Sequence, residues 1–312
     1  MRVLVTGAAG MIGSHIAEAL LARGDQVVAL DNLSRGDERN IPDGANFARV
    51  DVTDSRALAS TFDRLGPFDA VLHEASIINE GIDAEDVAVD VAVNIEGTLN
   101  LLRCAKAAGV RRFVYASSVA VYGRPSLLPA TESATLPEPI ASYGIGKLSA
   151  EHYVRYFANA SSGMTYACLR YSNIYGPRQK PFGEVGVIGI FVERIAEHAP
   201  LVQHGDGSQC RDFLYIADCV SATLAALDSA ASLTLNVGSG RPTSVSELIS
   251  ALRDVAGDSV TVTHAPMRRG ELGRFWCNID LARTALSWAP STSLSEGLRK
   301  TLDWRLGATV RP

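Results

Sequence analysis

Tyr143 and Lys147 stand four residues apart in Ser142-Tyr143-Gly144-Ile145-Gly146-Lys147, leading into a helical stretch, so both side chains fall on one helix face. An ammonium beside a phenol lowers its pKa from about 10 toward neutrality, and the phenolate so formed is a usable general base. The pair follows a run ending Tyr115-Ala116-Ser117-Ser118, read as a strand that presents a hydroxyl at the carboxyl edge of a sheet. A second chemical feature opens the chain. Val3-Leu4-Val5-Thr6 runs straight into Gly7-Ala8-Ala9-Gly10-Met11-Ile12-Gly13, a strand, a glycine turn and a helix start. Gly7 permits the tight turn, Gly10 lets backbone approach a pyrophosphate, and Gly13 allows close helix packing. The helix N-terminus adds free N–H groups and partial positive charge.

A second strand ends at Asp31, 18 residues past Gly13, near the distance at which an acid meets an adenosine ribose 2'-hydroxyl. A carboxylate there repels a 2'-phosphate, which favours NAD; Arg35, close by, leaves NADP as the alternative. Asp51 follows a strand ending Ala48-Arg49-Val50, where it either reaches toward the adenine amino group or caps a helix. Asp54 is the better-placed cap, ahead of Ala57 and Leu58.

These groups need a scaffold, and short β-branched runs alternating with longer helical patterns supply one. The expected strands are Arg2 to Thr6, Gln26 to Leu30, Ala45 to Val50, Ala70 to Leu72, Arg112 to Ala116 and Thr165 to Leu169. Ile12, Ile16, Ala19 and Leu20 form one apolar helix face, as do Ile95, Leu99, Leu102 and Ala105. The fold class is α/β: a Rossmann-type, doubly wound parallel sheet with a smaller mixed α/β substrate domain. The pattern weakens after about Tyr171, where Pro177, Pro181, Pro200 and Pro242 punctuate the chain. We divide it into an NAD-binding domain over 1–170, to which the chain returns near 213–238, and a second domain over 171–312.

Composition excludes other classes. With 312 residues, 47% hydrophobic and 20% charged, the chain reads as an ordinary globular protein rather than a disordered one. A net charge of -5 without a basic stripe argues against nucleic acid and anionic membrane as partners. The longest apolar run, Val185 to Val192, ends at Glu193, far short of the roughly 20 residues a membrane span needs. Arg2 followed by Val3 to Gly13 is not read as a signal peptide, because three glycines interrupt it and no cleavage-like boundary follows. Cys104, Cys168, Cys210, Cys219 and Cys277 lie far apart with no metal-ligand spacing, and are expected to be reduced thiols of a cytoplasmic protein without a metal.

Taken together, the chain resembles the extended short-chain dehydrogenases, and within them the NAD-dependent nucleotide-sugar epimerases similar to UDP-glucose (UDP-galactose) 4-epimerase. The resemblance runs from Thr6-Gly7 through Asp31-Asn32-Leu33-Ser34, Val93-Asn94-Ile95-Glu96-Gly97-Thr98, Ser117-Ser118, Val121-Tyr122-Gly123 and Tyr143/Lys147. Its most specific parts come later: Arg170-Tyr171-Ser172-Asn173-Ile174-Tyr175-Gly176-Pro177-Arg178-Gln179, Gly205-Asp206-Gly207-Ser208-Gln209 with Arg211-Asp212-Phe213, and Arg268-Arg269-Gly270-Glu271. The resemblance implies that Tyr143 is the base, Lys147 its partner and a ribose ligand, and Ser118 the hydroxyl that meets the sugar. Gly7, Gly10, Met11, Ile12, Gly13, Asp31, Asn32, Asp51, Val52, Ala75, Asn94, Lys147 and Tyr171 would contact the cofactor. Asn173, Arg211 and Arg268 would hold the diphosphate, and arginine's planar fork of donors suits phosphate oxygens.

Related dehydratases carry Asp-Glu directly after the active-site hydroxyl residue, and related decarboxylases a Glu just before the Val/Met-Tyr-Gly. Val119 and Ala120 stand there instead, so oxidation and re-reduction at C4 is the expected chemistry. Phe275 aligns with a position that gates the sugar pocket and hints at UDP-glucose/UDP-galactose, although Phe275-Trp276 also reads as core packing. The chain departs from the family at His73-Glu74-Ala75-Ser76, where His-Leu-Ala-Ala is usual, and lacks an Asp-Pro motif within 82–93. His73 is read as a packed strand-end residue. Competing functions are an NAD(P)-dependent nucleotide-sugar reductase or dehydratase and a non-catalytic NAD-sensing scaffold. A homodimer through the helices around Asn94–Ala105 and after Tyr143 is implied by the resemblance.

Overall fold

All six expected strands form in the computed structural model, which describes residues 1–78, 83–161, 163–180, 186–257, 260–267 and 273–307. They are β1 (Arg2–Thr6), β2 (Gln26–Asp31), β3 (Asn46–Arg49), β4 (Ala70–His73), β5 (Arg112–Ser118) and β6 (Thr165–Tyr171). The helices between them are α1 (Met11–Ala22), α2 (Ser55–Leu65), α3 (Ala84–Asp90), α4 (Thr98–Ala107) and α5 (Ser142–Asn159). β5 and β6 each run two residues further than their periodicity predicts, because Ser117↔Arg170 and Ser118↔Tyr171 continue the ladder at the carboxyl edge.

After β6 come β7 (Asn173–Tyr175), α6 (Val187–Ala196), β8 (Leu201–His204), β9 (Cys210–Arg211), β10 (Phe213–Tyr215), α7 (Ile216–Asp228) and β11 (Leu233–Val237). The chain ends with β12 (Thr243–Ser244), α8 (Val245–Ala256), β13 (Val262–Ala265), α9 (Asp280–Leu286) and α10 (Leu294–Arg305). One parallel sheet has the order β11-β6-β5-β4-β1-β2-β3, and β11 joins it by pairing with β6. Among the described residues three two-stranded sheets, β10-β7, β12-β9 and β13-β8, account for the other late strands.

The central sheet is buried on both faces, as a parallel sheet must be. Val3 and Val5 of β1 enter one apolar cluster and Leu4 the other, following the two-residue alternation of a strand. α1 and α7 cover the first face, and α2, α4 and α5 the second. Arg112 is buried yet satisfied: its guanidinium donates to the Ala226 carbonyl in the last turn of α7, a favourable place for a cation, and to the Ala231 carbonyl beyond the helix. Between α3 and α4 the helix takes a π-turn over Val91–Gly97.

Strand order reverses between β1 and β4, and the crevice beyond such a point is where ligands bind in open α/β sheets. A cleft of about 1500 Å³ opens there. That exceeds the roughly 300–1,000 Å³ of ordinary ligand pockets.

Candidate active site

The phosphate turn is built by close backbone approach. Gly7 has φ +66°, and a Cβ on it would lie 2.7 Å from the Ala75 nitrogen, so only glycine fits where the turn meets the end of β4. Gly10 caps α1 with no side-chain hydrogen bond, which leaves the first-turn N–H groups to an anion. Gly7, Gly10, Met11, Ile12 and Gly13 all line the cleft.

At the adenosine end, Asp31 closes β2 and accepts from the Ala9 N–H at 3.0 Å and the Leu33 N–H at 2.7 Å. Those bonds fix the carboxylate beside the turn while lone pairs remain for a ribose hydroxyl. Asn32 donates to Asp51 at 2.7 Å. Burial opposes ionisation of Asp51, but the Thr53 N–H, Asn32 and the Thr53 hydroxyl outweigh it and hold its pKa below the usual range. Asp54, not Asp51, caps α2, accepting from Arg56 and Ala57. Val52 and Ala75 also face the cleft, and Arg35, on its rim, donates to the Ile78 carbonyl at 3.2 Å.

Ser118, Tyr143, Lys147 and Tyr171 meet on the opposite wall. Gly144 explains how α5 reaches that position: a Cβ there would be 2.6 Å from the Ala120 carbonyl, so the helix start lies directly on the turn after β5. Ser118 Oγ accepts from the Ala120 N–H at 3.1 Å, which leaves its own proton to donate. Lys147 is buried, with Nζ 2.7 Å from the Ala116 carbonyl and 5.6 Å from the centroid of the Tyr143 ring. Its chain therefore orients the ammonium between the strand edge and the phenol.

Behind this wall lies a buried network that sequence reasoning missed. Glu151 of α5 accepts from Ser117 Oγ at 2.5 Å and pairs with both ends of the Arg170 guanidinium. Arg170 also donates to Tyr122 Oη, which donates to Asn236 of β11. Tyr122 in turn stacks on Phe275, ring centroids 6.2 Å apart. One buried ion pair thus ties the strand carrying Ser117 and Ser118 to an aromatic on the substrate side. A run of small and polar residues gave no signal for it beyond the charges of Glu151 and Arg170.

On that side Asn173, Arg211 and Phe275 line the cleft. Phe275 is also part of the apolar core, so the gating and packing readings describe one residue. Arg268 lies outside the described residues. Asn94 is buried: its amide bonds the backbone of Ile77, a residue on the cleft, in both directions, at 3.1 and 2.8 Å, and also donates to Asp90. His73 bridges Thr6 and Thr98 at 2.8 and 2.9 Å. Because Thr98 Oγ1 gives its proton to the Asn94 carbonyl, His73 donates from Nε2 and accepts at Nδ1. Desolvation, with Lys147 adding to it, lowers its pKa to about 3, so it stays neutral. Among the described residues no cluster of His, Cys, Asp or Glu could hold a metal ion.

A family model described as the NAD dependent epimerase/dehydratase family matches residues 3–238. The chain belongs to this family. It is 37% identical over 303 residues to a putative UDP-glucose 4-epimerase of Methanocaldococcus jannaschii, covering 97% of each chain. Among solved structures, a Thermotoga maritima UDP-glucose 4-epimerase with UDP-glucose superposes with a TM-score of 0.93 at 36% identity, over 98% of both chains. A Thermus thermophilus UDP-glucose 4-epimerase in complex with NAD gives 0.91 at 38%, over 99% of this chain and 100% of that one. Similar structures also include a UDP-glucuronic acid 4-epimerase and a UDP-N-acetylglucosamine 4-epimerase. NAD is the family's cofactor, and the open first turn of α1, the Gly7 cradle, Asp31 and the ammonium of Lys147 fit it. The chain is thereby a member of an NAD-dependent family, and the solved structures named above as similar to it are nucleotide-sugar 4-epimerases.

Proposed function

We propose that this protein interconverts UDP-glucose and UDP-galactose by reversible oxidation at C4, with Tyr143 as the base. One observation carries the reading: Ser118, Tyr143 and Lys147 converge on the cleft that holds the phosphate turn, and the two positions after Ser118 bear no carboxylate. Bound NAD supplies the hydride acceptor and donor. Tyr143 takes the proton of the 4-hydroxyl, Ser118 donates to that oxygen, and Lys147 holds the phenolate beside a buried positive charge. Once the 4-keto sugar has turned over in the cleft, Tyr143 returns the proton to the same oxygen on the inverted carbon. No net oxidation results. Arg211, Arg268 and Asn173 clamp the diphosphate, and Phe275, stacked on Tyr122, leaves a wall suited to a hexose without an N-acetyl group.

The same reading assigns 1–170, with 213–238, to the cofactor and the rest of 171–312 to the nucleotide sugar; pairing of β11 with β6 supports the return. It includes a homodimer. Val87 and Val91 near α3 and Ile145, Tyr153 and Tyr156 on one face of α5 are exposed apolar residues that a second copy would cover. Five free thiols fit a cytoplasmic protein. No helix among the described residues is long and apolar enough to cross a membrane.

The test is proton NMR of the purified protein with UDP-galactose and no added nicotinamide. The anomeric signal of UDP-glucose should grow in. Turnover of N-acetylated or uronic UDP-sugars instead would overturn the choice of sugar, and a requirement for added, consumed cofactor would overturn the epimerase reading in favour of a reductase.

A further inference from the structure

Among the described residues three acids line the cleft, Asp31, Asp51 and Glu74, and the first two serve its adenosine end. Glu74 stands at the other end, where β4, β5 and β6 finish, and neither proton transfer nor substrate binding uses it. Its N–H donates to the Thr6 carbonyl at 3.3 Å, so its backbone runs beside the phosphate turn. From there the side chain reaches β6 and α7. Oε1 lies 3.3 Å from Tyr171 Oη, and Oε2 is buried with no hydrogen-bond partner.

The hydroxyl protons around it can be counted. Thr223 Oγ1 donates to the Cys219 carbonyl one helical turn back, at 2.9 Å, and the proton of Tyr171 Oη goes to the nearer of its two acceptors, Thr223 Oγ1 at 2.7 Å rather than Glu74 Oε1 at 3.3 Å. Tyr171 has then given away its single proton. The contact with Glu74 is a hydrogen bond only when the carboxyl carries the proton and donates it to Tyr171. An ionised Glu74 must instead be balanced by positive charge. Among the described residues the ionisable groups facing it are Lys147 on α5, Tyr171 on β6 and Cys219 on α7; burial raises both Tyr171 and Cys219, so Lys147 is the cation. Lys147 is already shared with the Ala116 carbonyl and Tyr143.

NAD, the cofactor this inference rests on, brings a second cation to that end of the cleft, since its nicotinamide ring is positive when oxidised and neutral when reduced. We propose that Glu74 is the buried counter-charge of that ring: ionised while the ring is cationic, and protonated, donating to Tyr171, once the ring has been reduced. A proton from solvent converts the carboxylate to the acid as hydride leaves C4, and returns to solvent when hydride goes back. The 4-hydroxyl proton is separate and moves to Tyr143. Glu74 acts through the field and through Tyr171, so it is a positioning residue that sets the balance between the two forms of the cofactor. Burial, eased by Lys147, raises its pKa to about 7, where a change of one nearby charge switches its state.

Infrared difference spectra of the cofactor-loaded protein, before and after borohydride reduction, read the proton directly. At about pH 7 reduction should bring up a protonated-carboxyl C=O band that shifts in D2O and is absent from Glu74→Gln. The pH of half-protonation should be at least about one unit higher in the reduced sample, a tenfold change in proton affinity. Glu74→Gln should also shift the ratio of NAD+ to NADH dissociation constants about tenfold toward the reduced form at about pH 8, which is about 30 mV for a two-electron couple. A carboxyl band unchanged by reduction between about pH 6 and about pH 8.5, or persisting in Glu74→Gln, overturns the proposal. Nicotinamide absorbance in the same sample reports cofactor content, so failure of cofactor binding is told apart from failure of the counter-charge.

Discussion

Replacing Glu74 by glutamine should change how stability responds to pH, and the structure gives the size and sign. In the cofactor-free protein burial is the largest influence on this carboxyl; Lys147 offsets part of it, leaving a pKa of about 7 against an ordinary 4.5. A shift of about 2.5 units at about 1.36 kcal/mol per unit corresponds to ~3 kcal/mol. The native state keeps the proton between about pH 4.5 and about pH 7 while the unfolded chain has already lost it. The contribution is therefore complete below the unfolded value and is lost as pH rises through the folded one. Glu132 and Asp212 are raised by burial in the same sense, and Asp25 and Asp69 are held low by their partners. Subtracting the variant from the parent cancels all four, since glutamine keeps the shape and can still donate to Tyr171. Urea unfolding of cofactor-free protein at about pH 5 and about pH 8 should show the parent losing ~2.5 kcal/mol relative to Glu74→Gln, since at about pH 5 the unfolded chain has already given up most of its proton. Curves that stay parallel within ~0.5 kcal/mol would refute the account of a carboxyl protonated in the native state.

Tyr143→Phe should retain bound NAD and lose turnover by about 10²–10⁴-fold, the usual contribution of a positioned acid–base group; wild-type rates would remove Tyr143 as base. Gly7→Ala forces a side chain into φ +66° and against the Ala75 nitrogen, at ~1–2 kcal/mol for the backbone alone. The purified variant should carry no NAD by absorbance and by analysis of the released nucleotide. Glu151→Ala leaves the Arg170 guanidinium buried without its partner and should cost ~3–5 kcal/mol in chemical denaturation. A loss under ~1 kcal/mol would mean that the pair is not the link between β5 and the substrate side.

What could be read from sequence followed the range of the interactions. β1, the phosphate turn and α1 are contiguous, so hydrophobic alternation, glycine spacing and helix period report one local structure. Tyr143 and Lys147 were legible because four residues fix their geometry on a helix. Strand ends were legible only to within two residues, since Ser117, Ser118 and Tyr171 belong to the sheet through ladder partners more than 50 residues away. Asn94 shows the same limit within a recognised motif: nothing in the motif reports that its amide bonds Asp90 and the Ile77 backbone.

Glu74 marks where residue type and residue meaning part. Its presence after His73 was visible as a departure, and a carboxyl in an apolar strand end already implied either a partner or a proton. Which of the two depended on Tyr171, 97 residues on, and on whether Thr223 had a proton to spare. Thr223 spends that proton on its own helix because a threonine inside α7 can reach the carbonyl four residues back. The direction of one helical hydroxyl thus decides whether Tyr171 has a proton to give to an acid at the end of a distant strand. No pairwise spacing encodes that chain of donors; it exists only once β4, β6 and α7 are packed together.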